Sequence, residues 1–348
     1  MKPRLYIATN GLSVWYSDDL GESLLRTQTA AGLYSGAPVW GLAYHPSNSG
    51  EILCGTSEGI FRFDAKSQQW SHLKSPLDAK RMVTAIAYSP RDPNVIVAGT
   101  QPAALFRSED GGKTWRDLNA AMYESVALRF GSKDSNNNPT ATIAPTSPDD
   151  PVKHWTRVCQ IVWDYDDPEM VCACVEIDDA WISSDGGRSF RRSNNGIALG
   201  DVHGMAIVRN GAGTLYATTA FGLHASIDDG ATWRLQHIDS PWQYTRSIVE
   251  RADRTGTMFL TNGSGAPGWH GRLYRSRDRG TSWKAVPLPG EVESSLYFLA
   301  TNPADPLLMF AASALGQFYR TTDGGETWVR LPRRLGEVRA IAWVPAAS

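Results

Sequence analysis

Long hydrophobic runs are missing from this sequence: no stretch of about eighteen apolar residues occurs, so no segment is predicted to cross a bilayer as a helix. Charge of one sign is missing too. Lys and Arg number 34 against 36 Asp and Glu, for a formal net charge of -2, which excludes a nucleic-acid or membrane partner held by bulk charge. Cysteine is scarce. Cys54, Cys159, Cys172 and Cys174 are too few for a disulfide framework in a chain of 348 residues, and three of them sit in apolar strand-like runs where they read as small buried hydrophobes. No His-x-x-x-His or Cys-x-x-Cys spacing, phosphate loop or nucleophile elbow occurs, so neither a metal nor a cofactor is expected. The N-terminus runs from Met1-Lys2-Pro3-Arg4 straight into a strand-like Leu5–Thr9 without a signal-type apolar region, and a cytoplasmic location is the expectation.

What the sequence does have is a repeated box. Ser108-x-Asp110-x-Gly112-x-Thr114-Trp115 returns as Ser183-x-Asp185-x-Gly187-x-Ser189-Phe190, Ser226-x-Asp228-x-Gly230-x-Thr232-Trp233, Ser276-x-Asp278-x-Gly280-x-Ser282-Trp283 and Thr321-x-Asp323-x-Gly325-x-Thr327-Trp328. Ser17-x-Asp19-x-Gly21-x-Ser23 is a weaker first copy. A period of about forty to fifty residues signals an array of supersecondary units. The box has the chemistry of a turn: Asp accepts backbone N–H bonds, Ser or Thr adds a local hydrogen bond, and Gly supplies a left-handed backbone. An active site is built once, so these aspartates are read as structural.

One full unit reads Val83–Pro90, Asn94–Thr100, Ala104–Ser108, then the box and Trp115–Leu118. Each piece is a short β-branched or aromatic run bounded by turn residues, giving four antiparallel strands, A to D. The same order restarts at Val39, Val158, Val202, Thr245 and Leu296. The first unit, from Leu5, lacks strand A, and Val338–Pro345 at the other end matches Val83–Pro90. The expected fold is therefore all-β: one seven-bladed β-propeller domain over residues 1–348, its four-stranded antiparallel blades closed by the C-terminal strand pairing with the N-terminal blade.

These boxes resemble the Asp-box (BNR) repeats shared by sialidases, two-propeller xyloglucanases, sortilin-like receptors and the photosystem II assembly propellers. The resemblance covers nearly the whole chain and implies the propeller. It does not select an activity, because such repeats occur on enzymes and scaffolds alike. The Arg-Ile-Pro signature of sialidases is absent, and the chain has the length of one propeller, not two.

In such a ring the D–A and B–C loops emerge on one face and the boxes on the other, so a ligand is expected at the mouth formed by the first residues of the A strands. The residue after each opening hydrophobic is Arg339, Trp40, Thr84, Cys159, His203, Arg246 or Tyr297. Arginines converging on an axis repel unless an anion sits between them. His203, Tyr297 and Glu176 are the candidate catalytic residues, and Arg246, Arg339, Trp40, Trp269, His270 and Asn262 the candidate substrate-binding ones. Cleavage of a sugar would need a carboxylate pair, Glu176 with Asp178 or Glu58. Two insertions are expected on this face: residues 119–156, with a short helix over Met122–Phe130 and His154-Trp155 at its end, and 263–271 with Trp269 at its tip, beside Trp242 and Tyr244. Metal sites built from Cys159, Cys174 and His203, or from Asn10, Glu58, Glu176 and Asn262, are the lesser alternatives. The leading functional reading is a hydrolase, glycosidase-like, or a lyase acting on a small anionic or carbohydrate-like ligand. The alternative is a non-catalytic scaffold that binds a protein partner.

Overall fold

The computed structural model describes residues 2–75, 77, 81–118, 126–133, 139–145, 156–197, 200–209 and 213–346, with 126–133 and 139–145 as backbone alone. Seven four-stranded antiparallel sheets follow one another around a ring. Blade one takes its strand A from the other end of the chain: Val338–Val344 pairs with Arg4–Thr9, Leu5 opposite Trp343 and Ile7 opposite Ile341. The expected closure is thus present. The A strands of blades two to seven are Val39–His45, Met82–Tyr88, Arg157–Trp163, Val202–Val208, Tyr244–Glu250 and Leu296–Ala300, and each lies against the next around the ring.

The apolar cores lie between blades rather than within them. Each of seven clusters joins two consecutive sheets, which is why a strand such as Met258–Gly263 is buried on both faces and reads as one continuous run instead of alternating. The residue that closes each box is the key of such an interface. Trp233 of blade five packs with Cys172 and Ile182 of blade four and donates its Nε1–H to Ser193 Oγ at 2.9 Å. In blade one, Leu24 takes that place against blade seven.

The box folds as its composition predicts. In the copy around Asp110, Gly112 N and Ser108 Oγ are 2.8 Å apart, Thr114 N donates to Asp110 Oδ1 at 2.8 Å, and Thr114 Oγ1 donates to Asp110 Oδ2 at 2.6 Å. With donors on both oxygens, Asp110 is held down at about 2. Gly325 combines two demands: φ is +89°, and a Cβ there would stand 2.2 Å from Phe259 Cζ of the preceding blade.

Side-chain staples add to the blade contacts. Arg62, Arg107 and Arg275, each on strand C of its blade, donate to the main-chain oxygens of Gly111, Gly186 and Gly325 in the following blade at 2.6, 3.0 and 2.8 Å. On the face opposite the mouth, Arg254 of blade six meets Asp166 of blade four at 2.7 Å. Blade five lies between those two on the ring, so this brace runs on the axial side.

The insertion between blades three and four differs from expectation. Val126–Lys133 is a strand, paired antiparallel with Pro139–Pro145 in a two-stranded sheet of its own. The helix expected over Met122–Phe130 is therefore corrected for its described part. Val126-Ala-Leu-Arg-Phe has no decisive helical period, and the facing Thr140-Ala-Thr-Ile143 offers a β-branched partner that local propensity alone does not reveal. Residues 122–125, His154 and Trp155 lie outside the described residues.

Candidate axial anion site

A bulge opens every strand A. The register skips Trp40, Thr84, Cys159, His203, Tyr297 and Arg339 in their blades, and Arg246 with Ser247 in blade six. A bulged residue has no partner across the ladder, and the local kink re-aims its side chain. In six of the seven blades the bulged residue faces the axial cavity. Six of these seven, Trp40, Thr84, Cys159, Arg246, Tyr297 and Arg339, line a cavity of about 30 Å³ together with Arg157. That volume accommodates a few waters or a small anionic group.

The lining is dominated by guanidinium and aromatic groups. Arg339 lies over the Trp40 ring with its guanidinium carbon 3.9 Å from the centroid, and Arg157 approaches the same ring at 5.2 Å. Arg246 lies 4.7 Å over Tyr297. One carboxylate serves two of these cations: Glu176 receives Arg157 at 2.5 and 3.1 Å and Arg246 at 3.3 Å. Burial works to raise the Glu176 carboxyl, but Arg246 and Arg157 outweigh it and hold it below its ordinary value. Arg339 pairs with Glu337 on the rim. Its pKa is lowered, first by burial and further by repulsion from Arg157 and Arg246, with Glu337 working against both. Among the described residues, Arg339 Nε and Trp40 Nε1 are buried without a hydrogen-bond partner, and both are donors.

Of the other candidates, only Tyr297 lines the cavity. His203 is buried behind the ring. Its Nδ1 lies 2.7 Å from Thr245 O, and its Nε2 lies 3.3 Å from Asp201 Oδ2. Tyr297 faces the cavity, its hydroxyl 3.3 Å from that of Tyr244, which in turn accepts from Arg246 at 3.3 Å. Asn262 is fully buried and its amide is occupied: Ser240 Oγ donates to Oδ1, and Nδ2 donates to the carbonyls of Trp242 and Tyr244. It shapes the loop that enters blade six. Trp269, 81% exposed, and His270 do not line the cavity. His270 stacks on Trp242 at 5.4 Å, and Ser264 Oγ fixes the backbone N–H groups of both Trp269 and His270.

Arg157 and Asp201 escaped the sequence reading, as did the axial role of Tyr244. All three stand immediately before the opening hydrophobic of strand A, two positions from the ring residue. Residues two apart on a strand share a face, so that offset was the available signal.

Glu176, Asp201 and His203 present ligand-type atoms within 4.8 Å of one another. A dication there would face Arg157 and Arg246, which already occupy Glu176, so the donor set suits a proton better than a metal. The Cys159 thiol is pushed up by burial and by Glu176, against the arginines, and stays protonated.

No protein-family model matches this chain. Over 133 residues, 38% of its length, it is 27% identical to a xyloglucanase of Hypocrea jecorina (strain QM6a), in which that stretch is 15% of the protein. Among solved structures, the GH74 enzyme of Niastella koreensis superposes with a TM-score of 0.58 at 17% identity, over 84% of this chain and 45% of that one. YCF48 bound to a D1 peptide gives 0.53 at 12% identity, over 84% of this chain and 82% of that one. What they share is the propeller. At these identities the likeness is one of fold. Among the described residues no helix is long and apolar enough to cross a membrane.

Proposed function

We propose that the axial mouth binds a small anionic group, a carboxylate ahead of others, and that the protein is a binding module for a ligand or partner carrying it. The observation that supports this reading is the donor surplus of the cavity. Three arginines converge there, Glu176 serves two of them and Glu337 on the rim the third, and Arg339 Nε and Trp40 Nε1 are left without a hydrogen-bond partner among the described residues. An oxyanion in the cavity offsets the mutual repulsion of Arg157, Arg246 and Arg339, which adds to burial in lowering the Arg339 pKa. A peptide C-terminus is one carrier of such a group, in keeping with a propeller neighbour that holds a peptide. Thermal shift with formate, acetate and short peptides tests the idea. Stabilisation of the wild type that Arg339→Ala abolishes supports it, and no stabilisation by any of them removes it.

The xyloglucanase likeness favours a second reading, glycoside hydrolysis. That chemistry needs a protonated carboxyl beside the scissile bond. Glu176 and Asp201 both have lowered pKa values, Asp178 lies 3.5 Å from Arg192, and Asp179, which burial raises against Arg192 at 2.5 Å, does not line the cavity. Glu58 stands exposed on blade two. Hydrolysis of xyloglucan by the wild type, lost in Glu176→Gln, would reinstate it.

A further inference from the structure

Resting on the anion-binding reading above, we propose that Glu337 is an internal stand-in for the ligand: its carboxylate occupies Arg339, and a binding anion takes its place. Glu337 stands immediately before the closing strand Val338–Val344, two positions ahead of Arg339, as Arg157, Asp201 and Tyr244 do relative to Cys159, His203 and Arg246. Its Oε1 accepts from Arg339 Nη2. Nη2 and Nε form the forked edge with which a guanidinium holds a carboxylate by two parallel bonds. Glu337 takes one prong of that fork. The other prong, Nε, is buried without a hydrogen-bond partner among the described residues. A carboxylate seated on both nitrogens therefore gains a bond that Glu337 does not make, and it must displace Glu337 to do so.

The second carboxylate oxygen is held at the rim. Asn10 Nδ2 donates to Glu337 Oε2 at 2.8 Å, and Asn10 N donates to the Glu337 carbonyl at 3.0 Å. Asn10 lies in the turn after Arg4–Thr9, so both contacts sit at the seam where the ring closes. The backbone bond keeps Glu337 at the mouth whichever way its side chain turns. Exposure separates the two partners: the Glu337 side chain is 45% exposed and that of Arg339 16%. The carboxylate can swing into water with little change in solvation, whereas the guanidinium stays over Trp40. Glu176 is different in kind. It is 19% exposed and tied to both Arg157 and Arg246, which makes it the fixed counter-charge and Glu337 the exchangeable one. The Arg339 pKa agrees: burial lowers it, Arg157 and Arg246 add to that, and Glu337 works against them without restoring the ordinary value. Glu337 therefore weakens the apparent affinity of the site according to the fraction of time it holds the guanidinium.

Calorimetric titration with formate at one pH and ionic strength tests the exchange by the sign of its effect. Glu337→Gln, which keeps the shape and loses the charge, is expected to bind formate about fivefold to tenfold more tightly than the wild type. Asn10→Ala leaves the carboxylate but removes its hold at the rim, and should bind about twofold more tightly. Glu337→Asp separates occupancy from repulsion. Its charge stays at the rim while the shorter side chain falls short of Nη2, so it too should bind more tightly than the wild type. If the glutamine variant fails to fold, Asn10→Ala and Glu337→Asp carry the same test. Formate binding by Glu337→Gln that is no tighter than that of the wild type means that Glu337 orients Arg339 rather than competing for it. That result overturns the exchange and leaves the anion site standing. Tighter binding by the glutamine variant with wild-type affinity in Glu337→Asp would reduce Glu337 to a repelling charge, and overturns it as well. Failure of the wild type and Glu337→Gln alike to bind formate, acetate or a peptide carboxylate removes the anion reading itself.

Discussion

The Arg339 guanidinium lies over the Trp40 ring, 3.9 Å from guanidinium carbon to ring centroid, across the junction of blades one and two. The strand that supplies Arg339 is the one that closes the ring, so closure and site assembly are one event. Arg339 Nε and Trp40 Nε1 are both buried without a hydrogen-bond partner among the described residues. Trp40→Phe keeps a flat ring under the guanidinium but removes one donor, and Arg339→Leu removes the charge. Formate affinity should fall about tenfold in the first and about a hundredfold in the second, as titration would show. Stability should move the other way for Arg339→Leu. With Arg157 and Arg246 no longer repelled, the ligand-free protein should melt at or above the wild-type temperature. A lower melting temperature would mean that the stack, not the repulsion, dominates.

Glu176 makes a complementary prediction. It is the shared counter-charge of Arg157 and Arg246, whose side chains are 16% and 10% exposed. Glu176→Gln strands two buried cations, and denaturant unfolding should show a loss of about 3 kcal/mol or more. Formate should restore part of that loss by substituting for the carboxylate. A variant as stable as wild type would show that the arginines turn to water.

How much of this was legible in the sequence follows from what each feature depends on. The boxes, the four-strand unit and the closing strand rest on local patterns, and they folded as expected. Six of the seven axial positions were legible because the blades repeat the same offset from the residue that opens strand A, and the bulge preserves it; His203 has that offset but lies behind the cavity. Arg157 and Asp201 were not, because reading one position per blade hides the residue two places earlier on the same face. Asn262 looked available as a loop amide, yet its bonds to Ser240 and to the carbonyls of Trp242 and Tyr244 depend on how a neighbouring loop returns. The Val126–Lys133 strand needed its partner to declare itself.

The box aspartates predict an acid limit. Asp19, Asp110, Asp185, Asp228 and Asp323 sit at about 2, below the ordinary carboxylate value, in each case because the neighbouring hydroxyls and backbone N–H groups outweigh any burial. A carboxylate lowered in the folded state contributes stability that is complete above its unfolded value near 3.9 and is lost as pH falls through the folded one. Thermal melts should therefore hold steady from neutrality to about pH 5, then decline between about pH 4 and 2. Asp110→Asn should weaken this decline by removing one contributor. A melting temperature that is flat down to pH 2 would contradict the hydrogen-bond account of the box.

Gly325 offers a test of blade packing that leaves the axial site alone. Its φ of +89° disfavours any side chain, and the ideal Cβ would stand 2.2 Å from Phe259 Cζ, in the layer between blades six and seven. Gly325→Ala should cost about 2 kcal/mol or more, from overpacking and backbone strain together. The two parts can be separated. Phe259→Leu opens the space that the methyl group needs, so in that background the alanine should cost less, the residue being the backbone part. Equal costs in both backgrounds would mean that the ring of Phe259 moves freely and only φ matters. A cost near zero would mean that the turn accepts a side chain. That outcome would leave the aspartate and hydroxyl bonds of the box, rather than its glycine, as what fixes each turn against the preceding blade.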